Sequence, residues 1–151
     1  MPHKIGFAAR NIGCQRGGRV VFRDVSFSLA PGEALLVTGP NGAGKTSLLR
    51  QLAGLLPLAG GDLQLEGGSA EETLPELCHY IGHLNAVKAS LSLRENLAFW
   101  AGFFASKDAD LDAALAAFGL AALADLQAGL LSAGQKRRLA LARLFAAPRP
   151  I

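Results

Sequence analysis

Gly39-Pro40-Asn41-Gly42-Ala43-Gly44-Lys45-Thr46 lies between an apolar run, Ala34 to Thr38, and a leucine-rich segment of helical period that begins at Lys45. Its spacing is G-x-x-x-x-G-K-[ST], and a buried strand, a glycine-rich turn and a helix N-terminus are the context in which such a loop cradles phosphate. Gly39, Gly42 and Gly44 permit positive φ and close approach of an anion, so successive N–H groups can turn inward on phosphate oxygens. The dipole of the following helix adds to that field. Lys45 reaches a phosphate as a point charge, and the Thr46 hydroxyl, next to Ser47, is suited to a magnesium ion travelling with it. The competing reading, a glycine-rich connection that binds nothing, is disfavoured by the length of the pattern and its strand–turn–helix setting.

Composition narrows the class. With 151 residues, half of them apolar, the chain can bury a substantial core as one domain and is not disordered. A formal net charge of +3 suits an anionic ligand but is too small a surplus to imply nucleic-acid binding. Cys14 and Cys78 lie far apart without metal-ligand spacing and read as reduced, structural thiols. Met1-Pro-His-Lys-Ile-Gly lacks the apolar stretch of a secretory signal, and Leu111 to Leu131 is interrupted by Gly119, Asp125, Gln127 and Gly129, too broken to span a bilayer. Pro148-Arg-Pro-Ile151 stops where an apolar strand could begin and reads as an interruption.

Outward from the glycine-rich loop, Ile5 to Ile12 and Val20 to Leu29 predict a half-buried antiparallel pair joined by Arg16-Gly-Gly-Arg19. After the turn Pro31-Gly32, Glu33 to Thr38 predicts a strand covered on both faces. Leu48, Leu49, Leu52, Leu55 and Leu56 predict one buried helix face, ended by Pro57. Asp62 to Glu66 predicts a short strand with Leu63 and Leu65 on one side, between the turns Gly60-Gly61 and Gly67-Gly68. Ser69 to Leu77 reads as a short helix or loop, and His79 to His83 as a brief strand. Ser92-Leu-Arg-Glu95 is a capping box opening a helix whose Leu97, Phe99, Trp100, Phe103 and Phe104 are expected mostly in the core. A second helix follows over Asp108 to Phe118 with Gly119 at its C′ position, and Leu120 to Leu126 adds a short third.

A second motif, Leu131-Ser132-Ala133-Gly134-Gln135, contains the capping box Ser132-x-x-Gln135 and opens a helix bearing Leu139, Leu141, Ala142, Leu144 and Phe145 that Pro148 terminates. By itself it is a well-capped helix. Together with Gly39 to Thr46 upstream and Lys136-Arg-Arg-Leu-Ala-Leu-Ala-Arg143 downstream, it makes almost the whole chain resemble the ATP-binding cassette of ABC transporters.

The resemblance implies an α/β fold: a P-loop NTPase (ABC ATPase) core, 1–90 with its N-terminal antiparallel β layer, an α-helical subdomain over 91–130, and the signature motif with its helix over 131–147. It implies ATP and Mg2+ at Gly39 to Ser47, with Thr46 on the metal. It also implies that Ser132, Ala133, Gly134 and Gln135 reach the γ-phosphate held by a second cassette, so a homodimer is expected. Tyr80-Ile-Gly-His-Leu-Asn-Ala-Val-Lys88 and Leu91-Ser-Leu-Arg-Glu-Asn-Leu97 look most like the haem-exporter cassette of bacterial cytochrome c maturation. That implies integral membrane subunits as partners, no nucleic acid, a peripheral place on the cytoplasmic face of the bacterial inner membrane, and docking around Leu84 to Leu97 and Phe99 to Phe104.

Three departures qualify the resemblance. Many cassettes stack an aromatic residue on adenine where Arg16 falls; its guanidinium can stack in turn, or be a solvated turn cation. The family's Q-loop glutamine falls at Leu84, between His83 and Asn85, and leucine cannot hold magnesium or water, so either a neighbour contributes, or the alignment is one residue off, or this coupling point is altered. The Walker B aspartate, the catalytic glutamate and the switch histidine have no counterparts, so no catalytic residue is assigned, the fold is expected truncated before the Walker B strand, and the chain alone is expected to hydrolyse ATP poorly. Arg137 and Arg138 are expected as solvated helix charges. The alternatives are a soluble ABC ATPase acting on nucleic acid or ribosomes, and a non-catalytic nucleotide-binding fragment.

Overall fold

The computed structural model of the chain describes residues 5–67 and 72–151, which form two compact units. The turn glycine Gly68 and the polar stretch from Ser69 to Glu71 lie outside the described residues, as do the first four residues.

The first unit takes in residues up to Tyr80 and returns to include Pro150 and Ile151. Its sheet has the order β2-β1-β3, with β1 at Gly6–Arg16, β2 at Arg19–Leu29 and β3 at Gly60–Glu66, all antiparallel. The β1–β2 hairpin turns on Gly17 and Gly18, whose φ values of 54° and 77° are the mirror-image turn that matches strand twist. Val25, Phe27 and Leu29 are half-buried while Ser26 and Ser28 face solvent, and Leu63 and Leu65 alternate likewise on β3. β1, with a partner on each side, supplies the core residues Phe7, Ala9, Ile12 and Cys14.

A bulge breaks the β1–β3 register between Arg10 and Gly13, with Asn11 at φ 48°. Opposite it, Gly61 has φ 77°, and a Cβ there would lie 2.3 Å from the Arg10 carbonyl oxygen and 2.4 Å from that of Asn11. Backbone cannot give way as a side chain can. Gly61→Ala is therefore expected to destabilise this unit by about 3 kcal/mol, read as a lowered urea midpoint with unchanged slope.

Two expected strands are absent from the described residues. Glu33 to Thr38 is irregular rather than paired, with Leu36 85% exposed, because among the described residues no strand runs beside it to accept and donate a ladder. His79 to His83 likewise joins no sheet. Near its start, however, the His79 N–H donates to the Ile151 carbonyl at 2.8 Å and the Ile151 N–H to that of Leu77 at 3.1 Å, the bonding of a single parallel pair about Cys78.

The helix after the glycine-rich loop, α1, spans Lys45–Leu52 and stops earlier than Pro57. Gly54 at φ 70° ends it: the Leu55 N–H donates to the Arg50 carbonyl and the Gly54 N–H to that of Gln51, a Schellman motif. This early stop takes Leu55 and Leu56 off the helix. Leu49 and Leu55 are exposed, and the residue buried on α1 is Gln51, whose Nε2 donates to the carbonyls of Gly13 (3.0 Å) and Pro57 (2.9 Å). A single turn, α2 at Leu74–Leu77, follows with its own Thr73–Glu76 capping box.

The second unit, residues 81–149, is helical: α3 at Leu93–Phe103, α4 at Leu111–Ala117 and α5 at Ala133–Ala146, with one short 3-10 turn at Ala121–Leu123, in place of the short helix expected over Leu120 to Leu126, and another at Ala128–Leu130. Leu93, Leu97, Leu115, Leu120, Leu139 and Ala142 meet in one core. The caps follow the sequence. Ser92 and Glu95 close a capping box on α3, Asp110 caps α4 by accepting from the Ala113 N–H at 2.9 Å, and Gly119 at φ 65° sits just past the end of α4. Hydrogen bonds from Ser92, chiefly its backbone N–H, hold the Glu95 carboxyl below its ordinary pKa.

The aromatic set of α3 is not mostly core. Phe99 and Phe103 are exposed and Trp100 and Phe104 half-buried, because Leu93, Leu97 and Ala101 take the inward stripe and turn the neighbouring positions outward. On α5, Leu139 and Ala142 are buried and Phe145 is exposed for the same reason.

Candidate functional site

The loop Gly39 to Gly44 keeps its shape through its glycines and its lysine. Gly42 and Gly44 have φ of 86° and 96°, and at Gly44 a Cβ would also strike the Val21 side chain at 2.6 Å. Lys45 folds back so that its ammonium donates to the carbonyls of Gly39 and Pro40, each at 2.7 Å. The Ala43 N–H bonds the Pro40 carbonyl, closing the turn around Asn41 and Gly42.

α1 begins on Gly44 with no side-chain cap and no acidic residue in its first turn. The dipole of α1 and the Lys45 ammonium make the head of this helix electropositive, a field of the sign that favours an anion. The exposed Thr46 hydroxyl and half-buried Ser47 stand there, an oxygen donor of the kind magnesium accepts.

Arg16 is exposed at the tip of the β1–β2 hairpin, paired in register with Arg19. Ser132 to Gln135 belong to the other unit. There the Ser132 Oγ accepts from the Gln135 N–H at 3.3 Å while the Gln135 Oε1 accepts from the Ser132 N–H at 2.8 Å. Gln135 is thus committed to the cap, and Ser132, Ala133 and Gly134 are left on the surface at the head of α5. Gly134 adopts ordinary helical geometry, and a Cβ there would meet nothing within 4 Å.

Arg137 and Arg138 are bonded rather than simply solvated. The Arg137 Nη1 donates to the Gly82 carbonyl at 2.8 Å and to the Asn85 Oδ1 at 3.4 Å; the Arg138 Nη1 donates to the Phe118 carbonyl at 3.1 Å. Leu84, in the position where a glutamine was sought, is 72% exposed. Sequence reading also missed Asn96. Buried on α3, it accepts from the Lys88 N–H at 2.8 Å and donates to the carbonyls of Lys88, Leu91 and Ser92, fastening the approach to the helix. Arg143, which burial pushes to a lower pKa, lies over the Trp100 ring at 4.6 Å.

Residues 22–151 match the family described as ABC transporter. The chain is 54% identical over 144 residues to the "Cytochrome c biogenesis ATP-binding export protein CcmA" of Bradyrhizobium diazoefficiens, covering 95% of this chain and 72% of that protein. It is 57% identical over 142 residues to the protein of the same name from Rhodopseudomonas palustris BisB18, covering 94% of this chain and 71% of that one. Among solved structures, a bacterial Atm1-family ABC exporter with ATP bound superposes with a TM-score of 0.80 at 22% identity, covering 99% of this chain and 28% of the other, a likeness of fold.

Proposed function

The chain belongs to the ABC transporter family, and from that membership we propose that it is the ATP-binding subunit of an exporter serving cytochrome c biogenesis, with haem or a related component as the cargo class. ATP with Mg2+ binds at Gly39 to Ser47. Lys45 leaves the carbonyls of Gly39 and Pro40 to meet the β- and γ-phosphates, and the Thr46 hydroxyl is the chain's own oxygen toward the metal, whose part is to neutralise phosphate charge. Arg16, at the hairpin tip, takes the adenine face. Ser132, Ala133 and Gly134 of a second copy close over the γ-phosphate, so the working unit is a homodimer attached to integral membrane subunits at the cytoplasmic face of the inner membrane. No helix among the described residues is long and apolar enough to cross a membrane. ATP hydrolysis is the activity; the 151 residues by themselves hydrolyse poorly, since among the described residues no acidic side chain stands at the end of an apolar strand to join Thr46.

The observation that carries this reading is Gly134. A glycine inside a helix costs about 1 kcal/mol relative to alanine, and here neither positive φ nor a neighbouring atom requires one. Its missing side chain makes room for something outside the chain. Gly134→Ala is therefore expected to stabilise the chain thermally by about 1 kcal/mol while weakening ATP-dependent dimerisation at least about tenfold, measured by sedimentation. A variant that gains stability and still dimerises like the parent would refute the cross-subunit role.

A further inference from the structure

The segment Gly82 to Lys88 is held out of its relaxed conformation by side chains from two helices. Ala86 sits at φ 50°, a left-handed conformation that costs a non-glycine residue energy and persists only where the surroundings impose it. From α3, the Trp100 Nε1 donates to the Ala86 carbonyl at 3.4 Å, and Asn96 bonds both the N–H and the carbonyl of Lys88. From α5 comes the third restraint, Arg137, on the carbonyl of Gly82 and the Oδ1 of Asn85. Between these pins Leu84 projects into solvent.

Arg137 stands three residues after Gly134 and four after Ala133, so it shares their helix face one turn down. We infer that Arg137 is a positioning residue that ties the Gly82–Lys88 loop to the head of α5, so that the pose of this loop and the presentation of Ser132 to Gly134 are set together. The bond is charge-assisted and spans 55 residues of sequence, and it joins a strained loop to a rigid helix. The linkage to nucleotide rests on the function proposed above; the tie itself does not.

The test compares the parent chain with Arg137→Ala and Arg137→Lys by hydrogen exchange and by ATP-dependent self-association. Arg137→Ala is expected to raise exchange across 82–88 about tenfold while α3 beyond Asn96 stays protected, and to raise the ATP concentration needed for association severalfold. Lysine retains a donor able to reach the Gly82 carbonyl and restores part of both. Unchanged exchange in Arg137→Ala overturns the tie, and raised exchange with parental association overturns the linkage. If the parent itself does not associate in ATP, the proposed function falls, while the exchange arm still decides the tie. Because Trp100 is the one tryptophan of the chain, its emission gives a second reading of the loop, expected to shift in Arg137→Ala and to stay fixed if the tie is wrong.

Discussion

Lys45→Ala is expected to lower ATP affinity by about two to three orders of magnitude, enough to abolish detectable binding by equilibrium fluorescence with a labelled nucleotide. Two opposed terms set the size. The first is direct: at about 4 Å and an effective dielectric near 20, one charge pair is worth about 4 kcal/mol, about a thousandfold in affinity. The second offsets part of it, because the ammonium must first give up the carbonyls of Gly39 and Pro40, each at 2.7 Å. The fold should survive, since Lys45 is not part of the buried core. A Lys45→Ala chain that binds ATP as the parent does would remove the phosphate-site assignment.

Ser132→Arg is expected to leave the chain folded and monomeric binding of ATP intact, yet to reduce ATP-driven dimerisation at least about a hundredfold. Ser132 is exposed, so arginine causes no internal clash, and the cost to the helix is the lost cap, about 1 kcal/mol. The proposed cross-subunit contact needs a small hydroxyl beside an open glycine, and a long guanidinium at that point occupies the phosphate's place. Ser132→Asn serves as the control because asparagine still caps. If both variants dimerise equally well by light scattering, the head of α5 does not face nucleotide.

How much could be read beforehand varied with the range of the interactions. The hairpin, the capping boxes at Ser92 and Ser132 and the helix stop at Gly119 depend on residues within a few positions, and they stand where the pattern put them. Apolar Glu33 to Thr38 looked like a covered strand, but a strand exists only by pairing, and pairing is nonlocal. Leu55 and Leu56 continued the heptad-like spacing of α1, while Gly54 supplied a stronger local stop than Pro57. Phe99 and Phe103 have the hydrophobicity of core residues, but Leu93 and Leu97 fill the inward stripe. Of the candidate site, the glycine-rich loop is wholly a local signal. Arg137, Asn96 and Gln51 carry no such signal, since the backbone atoms they bond become their neighbours only after folding.

The single parallel pair between Cys78 and Ile151 has a kinetic meaning. It closes a loop containing the entire helical unit, and closing so long a stretch as unstructured chain costs entropy that two hydrogen bonds scarcely repay. Prior condensation of helices α3 to α5 around their common core shortens the effective distance between Tyr80 and Pro150 before the pair is made. Assembly of the chain is thereby expected to be ordered in time: the helical unit condenses first, and Pro150 and Ile151 join the β-bearing unit last.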